Sequence, residues 1–297
     1  MSVEIRGLIA RVWPVAMLIV AMVSIQSGAS LAQSLFPTIG ATGATSIRLI
    51  LASIMLLAVF RPWRRPIAKS AWKTLIVYGV SLGAMNFLLY QAIQTVPLGI
   101  AVALEFTGPL AVAVFSSRRR LDLLWVALAV AGLAMLLLLG DEASGTLDPY
   151  GAACALGAGV CWALYILFGQ KAGAVNGAQS AALGVTIAAI VIAPIGLIDA
   201  GAALLSLDIL PIALAVAILS TAIPYTLEMI AMSRMPTPVF GTLMSLEPAI
   251  GALCGVIFLS QHLGHLQWSA IALIVVASIG TTLATRPHDG IEAPVPD

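Results

Sequence analysis

Residues 97–116, PLGIAVALEFTGPLAVAVFS, form an apolar run long enough to cross a bilayer, with one carboxylate, Glu105, in its interior. A spanning helix takes about 20 apolar residues. A charge at that depth is costly and usually faces a cavity or a partner. Gly108 and Pro109 follow within one turn. Proline removes an N–H from the helical ladder, and a membrane tolerates such a break only where neighbouring groups satisfy the freed backbone. A second run, 236–259, PTPVFGTLMSLEPAIGALCGVIFL, repeats the arrangement with Glu247 directly before Pro248.

Apolar runs of this kind fill the chain. Ten spans are predicted, at about 13–36, 41–60, 73–95, 97–116, 122–140, 149–171, 177–199, 209–234, 236–259 and 266–285. With 9% charged residues, where soluble domains carry roughly a quarter, this is a polytopic membrane protein with no room for a sizeable extramembrane domain. A net charge of +1 and no basic aromatic tract argue against a nucleic-acid partner. Cys154, Cys161 and Cys254 all sit in apolar runs and read as small buried hydrophobes, not as a disulfide framework or metal site. No G-x-x-x-x-G-K-[ST] phosphate loop and no H-E-x-x-H occurs. Neither a cofactor nor a metal is predicted.

Lys and Arg set the orientation. With the N-terminus inside, the inner segments hold Arg6, Arg11, Arg61, Arg64, Arg65, Lys69, Lys73, Arg118, Arg119, Arg120, Lys171, Arg234 and Arg286, thirteen of the fourteen basic residues. The outer loops hold none, but carry Asp141, Glu142, Asp148, Asp199 and Asp208. Adding or dropping one helix would scatter this sorting, so it supports ten spans with both termini cytoplasmic. The fourteenth basic residue, Arg48, falls within the second span. Arg48, Glu105, Glu228 and Glu247 are therefore the formal charges placed inside the membrane. Arg48 and Glu105 lie at similar depth counted from the outer ends, which allows a mutual ion pair. Glu247 sits nearer the midplane and Glu228 toward the inner side.

Sliding the sequence on itself by 139 residues lays Ser81 on Ser220, Pro97 on Pro236 and Pro109 on Pro248. Matches between apolar helices are common, but punctuating prolines recurring at one offset are not. Each half then has five spans, an odd number, so the second half enters from the opposite side of the membrane. The expected architecture is an all-α membrane protein of ten transmembrane helices as two inverted five-helix repeats, 13–140 and 149–285. A polar tail at 286–297 is expected to be disordered and cytoplasmic. Inverted repeats of this kind place substrate near the midplane between the halves, the design of secondary transporters.

The stretches SIQSGASLAQSLFP (24–37), NFLLYQAIQTVPLGIAVALEFTGPLAVAVFSSRR (86–119), GAGVCWALYILFGQKAG (157–173) and ILSTAIPYTLEMIAMSRMPTPVFGTLMSLEPA (218–249) resemble the drug/metabolite transporter superfamily. Within it they resemble the EamA-type threonine/homoserine exporters of bacterial inner membranes. The resemblance implies efflux of small amino acids driven by the proton gradient, with amino acids, protons and membrane lipid as partners. It does not fix an oligomeric state. An exporter of other metabolites or drugs on the same fold, or an integral-membrane enzyme using Glu105 and Glu247 as acid and base, are the alternatives. The enzyme lacks any nucleophile or metal constellation.

A zwitterionic amino acid needs acceptors for its ammonium and donors for its carboxylate. Glu105 and Glu247 suit the first role. Arg48, or backbone N–H groups freed beside Pro109 and Pro248, suits the second. Burial disfavours the ionised form of a carboxylate, so a glutamate passing between water and a dry pocket takes up and releases a proton. Glu247, then Glu228, is the expected carrier. Gln26, Ser27, Asn86, Tyr90, Trp162, Tyr165 and Tyr225 are further candidates to line the pathway, although helix-to-helix hydrogen bonding is the commoner role of such residues.

Overall fold

The computed structural model describes residues 3–64, 67–115, 120–138, 147–177, 179–232, 243–244 and 246–284. The predicted tail lies outside them, as do most of the connector between the halves, Arg65, Arg118, Arg119, Arg234 and Arg286, and 236–242 of the ninth predicted span. Among the described residues the regular structure is all helical, with no strand. Five stretches of the described residues are long and apolar enough to cross a membrane, the first of them running 50 residues from Val15 to Arg64.

The helices are α1 (Val3–Ala32), α2 (Phe36–Phe60), α3 (Trp72–Ala92), α4 (Leu98–Glu105), α5 (Thr107–Phe115), α6 (Arg120–Leu138), α7 (Pro149–Asn176), α8 (Gln179–Ala200), α9 (Leu210–Ala217), α10 (Ile223–Met232), α11 (Glu247–Leu259) and α12 (His265–Ala284). A 3₁₀ turn at Gln33–Leu35 joins α1 to α2, and the chain bends at Gly40, whose φ of 66° suits glycine alone. The predicted fourth span is broken between α4 and α5 at Phe106. Pro109 has no N–H for the Glu105 carbonyl, so the ladder opens beside the carboxylate.

The predicted eighth span is also interrupted. A π-helical segment, Ile218–Ala222, separates α9 from α10. Its cause is legible in the chemistry: Pro224 offers no N–H to the carbonyl of residue 220. The sequence reading placed no irregularity here.

Three of the packed helix pairs run antiparallel. On α2 and α8, Gly43 abuts Ala200, Ser46 Oγ donates to the Ile192 carbonyl at 3.1 Å, and Ser53 Oγ to Thr186 Oγ1 at 2.9 Å. On α4 and α11, Gly99 abuts Ala252 and Gly251 abuts Val102. On α6 and α12, Gly132 meets Ala270 and Ile274 while Gly280 meets Trp125. The closest approach joins α5 to α7: a Cβ at Gly108 would collide with the Gly159 carbonyl, and one at Gly159 would lie 2.6 Å from the Glu105 carbonyl oxygen. Small residues let membrane helices meet backbone to backbone. Here they bring α7 against the broken turn that carries Glu105.

Asp148 caps α7, accepting from the Gly151 N–H at 2.9 Å, with Pro149 in the first turn. The same oxygen accepts from Thr95 Oγ1 at 2.7 Å, tying the α3–α4 connection to α7. Asp148 lies outside the spans, and these donors hold its carboxyl below the ordinary 3.8. A depressed value stabilises the fold above the ordinary one and is lost as pH falls through the lowered one. Asp148→Ala should therefore lower the melting temperature of the detergent-solubilised protein at neutral pH, and the gap to wild type should close below pH 3.8. Equal melting at neutral pH would show that the cap contributes nothing.

Candidate functional site

An internal cavity lies among α1, α2, α3, α4, α7, α10 and α11. It is lined by Ile25, Gln26, Ala29, Arg48, Met85, Asn86, Leu89, Tyr90, Glu105, Trp162, Tyr165, Tyr225, Glu228, Met244 and Glu247. Ten of the residues singled out from sequence are among them; Ser27 is not, its Oγ lying 3.9 Å from Cys254 Sγ. The space is small, about 30 Å³, room for about two waters.

Arg48 is the most buried charge, 1% exposed. Its Nη1 donates to Ser220 Oγ at 2.9 Å, to Thr221 Oγ1 at 3.1 Å and to the Ser220 carbonyl at 3.2 Å. That carbonyl is the one Pro224 leaves without its helical N–H. Nη2 donates to Asn86 Oδ1, and the guanidinium lies over the Tyr90 ring, 4.2 Å from its centroid. Gly28 on α1 presses against Ser220, a Cβ there coming within 2.7 Å, and Ser24 Oγ donates to the Leu219 carbonyl at 2.6 Å. The π segment is thus wedged between α1 and the arginine.

The ion pair between Arg48 and Glu105 that their depth allowed is not formed. Among the described residues, the arginine is held by neutral acceptors and a ring face. The physical reason is the irregular backbone at 218–222, which turns a carbonyl and two hydroxyls toward α2. Sequence reasoning missed Ser220 and Thr221 as partners. The available signal was Pro224 four residues after Ser220.

Asn86 links this cluster to α10. Its Nδ2 donates to the Leu82 carbonyl at 2.7 Å and to the Tyr225 hydroxyl at 2.8 Å. Tyr225 packs at 6.2 Å from Tyr165, which stacks on Tyr78 at 5.0 Å; Trp162 meets Phe106 edge-on at 5.5 Å. These contacts fix the aromatic wall of the cavity. Opposite it, Gln26 Nε2 donates to Glu247 Oε1 at 3.1 Å, while Glu247 Oε2 and Gln26 Oε1 have no partner. Glu247 opens α11 directly before Pro248, and that proline leaves the carbonyl of Met244, another lining residue, without its helical N–H.

A cavity buried among membrane helices, walled by an arginine and three glutamates, suits a polar solute in transit. The chain is 57% identical over 282 residues to the threonine/homoserine exporter RhtA of Escherichia coli (strain K12), covering 95% of each chain. The chain belongs to the EamA-like transporter family. That family's model matches residues 149–283. The corresponding exporter of Salmonella typhimurium (strain LT2) is 59% identical over the same shares. A more distant member, the uncharacterised inner membrane transporter YedA of Escherichia coli (strain K12), is 27% identical over 84% of each chain. A solved crystal structure, 21% identical, superposes at a TM-score of 0.59 over 90% of this chain and 98% of that one, a likeness of fold. As an EamA-like protein of the drug/metabolite transporter superfamily, the chain is a multi-pass membrane transporter and not an enzyme.

Proposed function

We propose that the protein exports small amino acids, threonine and homoserine among them, across the bacterial inner membrane in exchange for protons. The observation that carries this reading is the shared cavity: the intramembrane arginine and all three intramembrane glutamates line one space, beside hydroxyl and amide groups that suit a zwitterion. The identity of 57% to an exporter of those two amino acids supports the substrate class.

The architecture proposed for this function is ten spans in two inverted halves, 13–140 and 149–285, with both termini cytoplasmic. In inverted halves, equivalent helices that touch must cross antiparallel. The α2–α8, α4–α11 and α6–α12 contacts have that sense. Asn86 and Tyr225, which bond to one another, stand 139 residues apart, the same offset that aligns the prolines. The family model's match to 149–283 alone fits a second half that is a unit in its own right.

Within the cavity, Glu247 is the proposed proton carrier, with Glu228 second; Glu105 and the remaining lining residues complete the substrate site. Cells loaded with labelled threonine or homoserine should lose it faster when they express the protein, and an uncoupler should abolish the difference. Efflux that survives uncoupling unchanged would overturn the proton coupling. No difference between expressing and control cells would overturn the export itself.

A further inference from the structure

Among the described residues, seven buried side-chain polar atoms lack a hydrogen-bond partner, and four belong to the cavity lining: Gln26 Oε1, Arg48 Nε, Tyr90 Oη and Glu247 Oε2. A buried polar group left unpaired costs on the order of 1–3 kcal/mol, so four on one small space point to a ligand that supplies their partners. They fall into two physically joined pairs. Arg48 and Tyr90 are stacked, guanidinium over ring, and their orphan atoms are N–H and O–H donors. Gln26 and Glu247 are hydrogen-bonded, and their orphan atoms are acceptors. With Glu247 ionised, its carboxylate accepts from the NH₂ group of Gln26, which leaves the amide carbonyl oxygen unpaired.

We propose that the cavity reads the headgroup of a free α-amino acid from both ends: Arg48 Nε with the Tyr90 hydroxyl takes the α-carboxylate, and Glu247 Oε2 with Gln26 Oε1 takes the α-ammonium. This rests on the amino-acid exporter reading and deepens it. It gives Tyr90 and Gln26 opposite specificity roles and leaves Glu105 out of the headgroup contacts. The neighbouring lining from Ile25, Ala29, Met85, Leu89 and Met244 is apolar, so an aliphatic portion of the substrate has somewhere to lie.

The full-length protein in proteoliposomes, exchanging labelled threonine, tests the assignment with three competitors: threonine, threonine amide and N-acetylthreonine. Wild type should be inhibited about ten-fold or more less well by each blocked analogue than by threonine. Tyr90→Phe should shrink the penalty against threonine amide and leave that against N-acetylthreonine unchanged. Gln26→Leu should do the reverse. Tyr90→Phe removes no hydrogen bond from the empty protein, so its melting temperature should equal or exceed wild type, whereas a tyrosine whose hydroxyl is structural would lower it. If Tyr90→Phe alters both penalties equally, or neither, the headgroup assignment is overturned even where Gln26→Leu does not fold. If wild type exchanges no threonine, the export reading fails and the assignment with it.

Discussion

Glu247→Gln should reduce gradient-driven export by roughly 30-fold or more, the effect of removing one partner from a buried charge pair, while the protein still folds. Glutamine keeps the size of the side chain and an oxygen for the Gln26 amide, which now donates at 3.1 Å. It cannot take up or release a proton, and it offers a substrate ammonium a neutral oxygen in place of a charged one. Glu247 is 6% exposed and opens α11 beside Pro248, so the substitution leaves the helix start as it was. Vesicles with an imposed pH gradient give the readout. Wild-type export with wild-type pH dependence in Glu247→Gln would remove this residue from the proton pathway and pass the role to Glu228.

Among the described glycines, Gly108→Ala should be the most damaging single-methyl change. The added carbon meets the Gly159 carbonyl, part of a helix backbone that has no rotamer to yield. Overpacking in a close-packed interior costs about 1–3 kcal/mol and occasionally more; a backbone collision belongs at the upper end. If α7 is instead displaced, it carries Trp162 and Tyr165 away from Glu105 and Tyr225, so transport fails along with stability. Gly40→Ala provides a contrast: nothing lies within 4 Å of the added carbon, and the cost is confined to the positive φ. Melting curves and surface-independent expression levels distinguish the two. Gly108→Ala with wild-type melting and transport would show that the α5–α7 contact is looser than its geometry.

The intramembrane charges carried the sequence reading furthest. Water-poor surroundings make an ionised side chain conspicuous, and Arg48, Glu105, Glu228 and Glu247 do converge on one space. Aromatic and amide residues near them were legible for the same reason. What could not be read was apolar lining: Ile25, Ala29, Met85, Leu89 and Met244 look like every other aliphatic residue of a spanning helix. Two of them stand at the 139-residue offset from a glutamate, Met244 from Glu105 and Leu89 from Glu228. Under the proposed repeat, the halves would share a scaffold but not a charge pattern. The partners of Arg48 were hidden for a different reason. Depth along a helix gives no rotation about its axis, and the π segment at Ile218–Ala222 changes that rotation. The cap at Asp148 had its own local signature, an aspartate directly before a proline at a helix start.

The Asn86–Tyr225 bond has a mechanical meaning under the proposed two-fold relation. Positions that correspond under such a relation and also touch stand close to its axis, where a rocking motion has its smallest displacement. This bond would act as the fulcrum: the mouths on either side of it swing while the pivot holds still. Arg48, fastened to the same asparagine, would ride close to that pivot, so the cation would keep its place while access to it alternates between the two sides.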